Sequence, residues 1–75
     1  IHGQPIVNFS SNDYLGLTNH PKVKEAAKAA VDRYACGLSS SRVQATTVAH
    51  VELEERLAAW FKMPKCLVTT TGYQA

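Results

Sequence analysis

The sequence has little of what would let a short chain stand alone. Its 75 residues include two cysteines, Cys36 and Cys66, too few for a disulfide framework and without the spacing or neighbouring ligands of a metal site. They read as two reduced thiols of a cytoplasmic protein. A domain this small buries only about two-thirds of the surface its unfolded chain exposes, and no staple compensates. There is no excess of one charge: 8 basic and 6 acidic residues leave a net charge of +2. The basic residues are scattered, so no stripe for nucleic acid is expected. The apolar runs are far too short for a membrane span. The opening, "IHGQPIVNF", lacks the charged lead and apolar run of a secretory signal. Repeats, low-complexity tracts and long linkers are missing, and so are the P-loop and GxGxxG patterns. The chain opens on Ile1 rather than Met and stops at Ala75 in mid-phrase, so it reads as a piece of a longer protein.

What is present is a set of short, well-punctuated elements. "PIVNFSS" (5–11) reads as a strand closed by Ser and Asn. "NDYLGL" follows as a structured loop, with Tyr14 and either Leu15 or Leu17 buried. The clearest helix lies in "TNHPKVKEAAKAAVDRYACG". Thr18 or Asn19 can cap it, Pro21 suits its first turn, and Gly37 is a plausible stop. Val23, Ala27, Ala30 and Tyr34 share one face. Glu25 near the start and Arg33 near the end suit the helix dipole. Residues 37–50 read first as a polar loop. A second helix starts near Thr47, with a stripe of His50, Leu53, Leu57 and Trp60 or Phe61, an opposing Glu52–Arg56 pair, and Met63-Pro64 at its end. "CLVTTT" (66–71) is a β-branched strand broken by Gly72. Strand, helix, loop, helix, strand and next helix make an α/β pattern.

A strand that breaks into glycine and then a helix leaves free backbone N–H groups at a positive dipole end, a geometry that binds phosphate. The hydroxyls of Thr69, Thr70 and Thr71 could add donors. Taken alone, the residues favour an ordinary strand-to-helix turn. The loop "GLSSSR" offers Arg42 as a donor fork for a carboxylate or phosphate, although a solvated loop accounts for it better. His50 reads as a packing residue, and Glu54 and Glu55 are helix neighbours that point apart. Asn12 and Asp13 are turn formers that bond their own backbone. The residues by themselves therefore reach an α/β fragment with a possible anion site near its C-terminal end.

Four stretches in order, "NFSSNDYLGL", "HPKVKEAAKAAVDRYACG", "SSSRVQATTVAHVELEERLAAWF" and "LVTTTGYQA", resemble the N-terminal portion of the α-oxoamine synthases. These pyridoxal-phosphate enzymes include 8-amino-7-oxononanoate synthase, serine palmitoyltransferase, 5-aminolevulinate synthase and 2-amino-3-ketobutyrate CoA ligase. "NDYLGL" matches the family pattern in full, "HVELE" matches its His and Leu-Glu, and "TGYQA" matches its last motif with Thr71 where serine is common. The middle departs. Glycine is usual where this chain has Ala35 or Cys36, and again where it has Ala45. Counting back from His50, Ser41 falls where many members keep arginine, so Arg42 is one place late. Either this loop is one residue shorter than usual or a glycine is absent from "QATT".

The resemblance implies the fold of aminotransferase-like (fold type I) enzymes, a mostly parallel sheet with helices on both faces and a smaller domain. Residues 1–75 would be a partial unit: the N-terminal strand of the small domain and the start of the cofactor-binding large domain. It implies the cofactor pyridoxal 5'-phosphate, with Gly72 and Tyr73, and the adjoining Thr71, at its phosphate. It implies Asn12 at a substrate carboxylate, and Ser40 and Arg42 in a loop facing the acyl chain. The implied reaction condenses an amino acid with an acyl-CoA thioester, with loss of CO2, in a homodimer with a shared active site. The lysine that would carry the cofactor lies downstream in the family, so no catalytic residue is expected within these 75, and the fragment alone is expected to be inactive.

Overall fold

The computed structural model describes residues 2–75. Its regular elements among these residues are two helices, α1 over Pro21–Tyr34 and α2 over Val48–Trp60.

Helix α1 begins where a side chain can take an orphan amide. His20, in extended conformation, accepts the Lys22 N–H at Nδ1 (3.2 Å), and Pro21, whose missing N–H costs nothing in a first turn, follows it. The cap is thus His20, one or two places later than the Thr18 or Asn19 expected. Asn19 instead accepts from Lys24 Nζ at 3.1 Å. Glu25 lies beyond the first turn and pairs with Lys28 at 3.0 Å, while Arg33 occupies the last turn. The helix stops before Gly37, because Ala35 adopts φ 60° and ψ −167°. That region of backbone space is essentially reserved for glycine.

Thr47 caps α2, as its position suggested: Oγ1 accepts the His50 N–H at 3.2 Å. The far end closes earlier than Met63-Pro64. Lys62 takes a left-handed φ of 54°. Its N–H donates to the Ala59 carbonyl (3.1 Å), and the Met63 N–H donates to the Ala58 carbonyl (2.8 Å). This crossed pair satisfies the last carbonyls of the helix, and Pro64 then follows a helix already ended. Glu52 and Arg56 form no ion pair; among the described residues the ion pairs are Lys28–Glu25 and Arg42–Glu54.

The two expected strands, 5–11 and 66–71, form no ladder. A strand exists only by exchanging backbone bonds with a neighbour, and here neither segment has one. Tyr14, Leu15 and Leu17 are exposed (89%, 81% and 45%) rather than buried, because nothing packs over their loop. That loop is nevertheless well defined. The Gly16 N–H donates to the Asp13 carbonyl (3.0 Å) and the Thr18 N–H to Asp13 Oδ1 (3.3 Å), so Asp13 bonds its own backbone as expected.

No described residue is fully buried. The chain exposes 7320 Å², whereas a folded monomer of 8.2 kDa exposes about 4,500 Å². Its radius of gyration is 16.1 Å, against about 11 Å for a compact globule of this length. No described helix is long and apolar enough to cross a membrane.

Two outcomes follow from this geometry. The isolated 75 residues melt without a sharp transition by circular dichroism; a single cooperative transition with coincident fluorescence and ellipticity curves would contradict the open fold. Replacing Ala35 with glycine in the full-length protein raises stability by about 1 kcal/mol, since strain of roughly 1–3 kcal/mol is relieved against about 0.4–1 kcal/mol of added chain entropy. Denaturant unfolding measures it, and a loss of stability would show that Ala35 is at ease.

Candidate cofactor-anchoring site

The end of the chain is built by its own hydroxyls. Thr71 Oγ1 accepts the Gln74 N–H at 3.2 Å, and the Thr71 carbonyl accepts the same N–H at 3.2 Å. Thr69 Oγ1 donates to the Thr71 carbonyl at 2.8 Å, and the Thr70 hydroxyl donates to Gln74 Oε1. Thr71-Gly-Tyr-Gln74 is therefore half of a capping box: the hydroxyl takes the third amide of an incipient helix. The first two amides, those of Gly72 and Tyr73, donate to no acceptor among the described residues, and both residues are exposed. A Cβ built on Gly72 would meet nothing within 4 Å. Because Thr71 Oγ1 accepts, its own proton is left to donate. Two free amides and a hydroxyl at one turn are donors of the kind a phosphate monoester takes.

Behind this turn stands a second construction. Arg42 and Glu54 meet side to side. Arg42 NH1 donates to Glu54 Oε1 at 2.6 Å and NH2 to Oε2 at 3.1 Å. Oε1 also accepts the Val68 N–H at 2.9 Å, Arg42 NH1 reaches the Val68 carbonyl at 3.5 Å, and Arg42 Nε donates to Thr46 Oγ1 at 3.2 Å. The pair is partly sheltered, the side chains being 30% and 18% exposed. The Arg42 guanidinium and the Val68 amide hold the Glu54 carboxyl at about 2, well below its ordinary 4.5. The same carboxylate raises the pKa of Arg42.

The candidate residues occupy three places. Asn12 stays in its own loop, where Oδ1 accepts from the Tyr14 hydroxyl at 3.5 Å. The Ser40 hydroxyl donates to the Ser41 carbonyl (3.3 Å) and to Gln44 Oε1 (3.2 Å). Arg42 alone is tied to the segment that leads into Thr71, Gly72 and Tyr73, and its donors are engaged within the chain. No group of three or more potential metal ligands occurs among the described residues.

Sequence reasoning matched Glu54 to the family's Leu-Glu but gave it no partner. Its position could have betrayed it, because it lies four residues after His50 and three before Leu57, on the sheltered face of α2. A carboxylate there needs a partner. The structure also sorts out the loop. Ser41 accepts at its carbonyl from the N–H groups of Gln44 (2.9 Å) and Ala45 (3.1 Å) and at Oγ from that of Val43 (3.3 Å). Ser41 thus makes the turn, and Arg42 makes the ion pair.

The chain belongs to the aminotransferase class I and II family, which matches residues 4–75. Among its curated relatives is the 8-amino-7-oxononanoate synthase of Methylococcus capsulatus, 50% identical over all of this chain and 20% of that protein. The enzyme of the same name from Buchnera aphidicola is 42% identical over the whole chain and 20% of its own length. The serine palmitoyltransferase of Bacteriovorax stolpii is 45% identical over the whole chain and 18% of its own length. The chain thus spans about a fifth of these relatives. The alignments run over 76 positions against 75 residues, so one position lacks a counterpart here. No solved structure matches the chain.

The depressed pKa of Glu54 fixes a pH signature. The ionised carboxylate favours the folded arrangement, so its contribution is complete above pH 4.5 and is lost as pH falls through about 2. The stability gap between the full-length protein and its Glu54→Gln variant is flat at neutral pH, narrows below pH 4.5 and closes near pH 2. Denaturant midpoints across that range measure it; an unchanged gap at the acid end would mean that the charge is not what holds the pair.

Proposed function

We propose that this chain is part of a pyridoxal-phosphate-dependent acyltransferase of the 8-amino-7-oxononanoate synthase type, and that it anchors the cofactor phosphate at Thr71, Gly72 and Tyr73. The observation that carries the reading is the pair of free amides at Gly72 and Tyr73 behind a threonine cap, in a chain matched along its whole length by synthases of this kind. When bound, pyridoxal phosphate supplies the electron sink that a decarboxylative condensation of an amino acid with an acyl-CoA needs. This chain's residues supply the hold on the phosphate, which fixes the ring against downstream groups. Asn12 would hold a substrate carboxylate and Ser40 would line the approach of the acyl chain. Arg42 would border that approach from within its ion pair.

In the same reading the fold is α/β. Segments 5–11 and 66–71 become strands once neighbours from the rest of a fold type I enzyme lie beside them. The assembly is a homodimer with a shared active site, and these 75 residues alone are inactive. A self-standing anion- or partner-binding module is disfavoured by the lack of any fully buried residue. A non-catalytic subunit of the same family draws support from Ala45 where the family usually has glycine and from Ala35 in a glycine-like conformation.

The full-length protein tests the reading. It carries a visible absorbance band from bound pyridoxal phosphate, and it releases CoA when given an amino acid, alanine or glycine first, with an acyl-CoA. A band without CoA release would favour the non-catalytic subunit, and a colourless protein that binds no pyridoxal phosphate would overturn the assignment.

A further inference from the structure

The Arg42–Glu54 pair lies in the loop and helix upstream of the phosphate-binding turn, yet its third partner is the Val68 amide, on the segment that enters that turn. Three residues separate Val68 from Gly72, a reach of at most about 14 Å of extended chain. Within it, Thr69 and Thr71 are bonded to one another and Thr70 to Gln74. The turn is thus rigid in itself but attached to the rest of the chain through Val68. The attachment has a direction. The Val68 N–H donates to Glu54 Oε1 (2.9 Å) while the Val68 carbonyl faces Arg42 NH1 (3.5 Å). One residue therefore offers its donor to the anion and its acceptor to the cation of the same pair. A shift of one residue would bring Leu67 or Thr69 opposite the pair with the peptide turned the other way.

We propose that Glu54, oriented by Arg42, is a positioning residue for the phosphate-binding turn: it sets the register of residues 66–71 and so aims the free amides of Gly72 and Tyr73. The proposal rests on the phosphate reading given above. Glu54 itself touches no phosphate. It acts through Val68, and its effect falls on phosphate recognition rather than on recognition of the rest of the cofactor.

The test uses the full-length protein, with pyridoxal 5'-phosphate and the phosphate-free pyridoxal as paired probes. Glu54→Gln keeps an acceptor for the Val68 N–H. The double variant R42M/E54L keeps the volume of the pair but removes the acceptor, and apolar replacements of partly buried ion pairs commonly preserve stability. The double variant binds pyridoxal phosphate about tenfold or more weakly, the scale of one hydrogen bond to a charged group, and binds pyridoxal as before. Glu54→Gln stays within about threefold of the parent, since the amide oxygen can still accept. Amide hydrogen exchange over residues 68–73 speeds up by about tenfold or more in the double variant alone. Equal losses for both probes, or unchanged phosphate affinity in a folded double variant, would overturn the positioning role. If the parent protein binds no pyridoxal phosphate, the phosphate reading falls, and the exchange measurement alone decides the register: unchanged exchange over 68–73 overturns it.

Discussion

One carboxylate organises what tertiary structure this chain has. Glu54 receives two donors from Arg42 and one from the Val68 backbone, and so ties the serine loop, α2 and the segment before Thr71 to one another. Charge assistance makes such bonds shorter and stronger than neutral ones, and a planar guanidinium fixes the geometry where a lysine would not. Arg42 and Val68 lie 12 residues before and 14 after Glu54, so each contact closes a short loop, whose entropic cost grows only slowly with length. Because the side chains are only partly sheltered, the pair supplies register more than depth of burial. Through it the serine loop and the segment before Thr71 are both bonded to α2.

That single tie has to act where a core would usually act. Leu15, Val23, Val31, Trp60 and Phe61 remain 49–81% exposed, and the two helices keep apolar faces that nothing in the chain covers. Hydrophobic burial normally dominates folding, and a chain that leaves this much apolar surface in water keeps its helices chiefly by capping and local bonds. His20 and Thr47 at the starts, and the crossed bonds around Lys62 at one end, do that work here. The family assignment accounts for the imbalance, since the chain spans about a fifth of its relatives, and these faces are suited to a larger body.

The helices were legible because their signals are local. Proline at the first turn of α1 and threonine before the apolar stripe of α2 act within one or two turns, whereas the left-handed Lys62 that closes α2 before Pro64 carries no such mark in the sequence. The strands were not secured by the same reasoning. "CLVTTT" has the β-branched composition of a strand, but a strand is a relation between two segments, and the sequence of one cannot supply the other. The anion site was half legible. Gly72 marked the turn, whereas the role of Thr71 as the cap that leaves the amides of Gly72 and Tyr73 free required geometry. Glu54 was hidden by its neighbour: "ELEE" reads as a solvated acidic face until Arg42, twelve residues upstream, is placed against its third member.

The departures from the family pattern now sort by position. Ala35 and Ala45, both where the family usually has glycine, lie in one segment, the polar loop joining α1 to α2. Arg42, Glu54, Val68, Thr71, Gly72 and Tyr73 lie along the path from that loop to the turn at Thr71, and each has a defined partner or a free donor. Ser41 makes the turn of that loop by accepting from three amides, and Arg42 reaches Glu54 with both of its terminal nitrogens. The pair thus joins that loop to the segment before Thr71 through a bond network with one geometry.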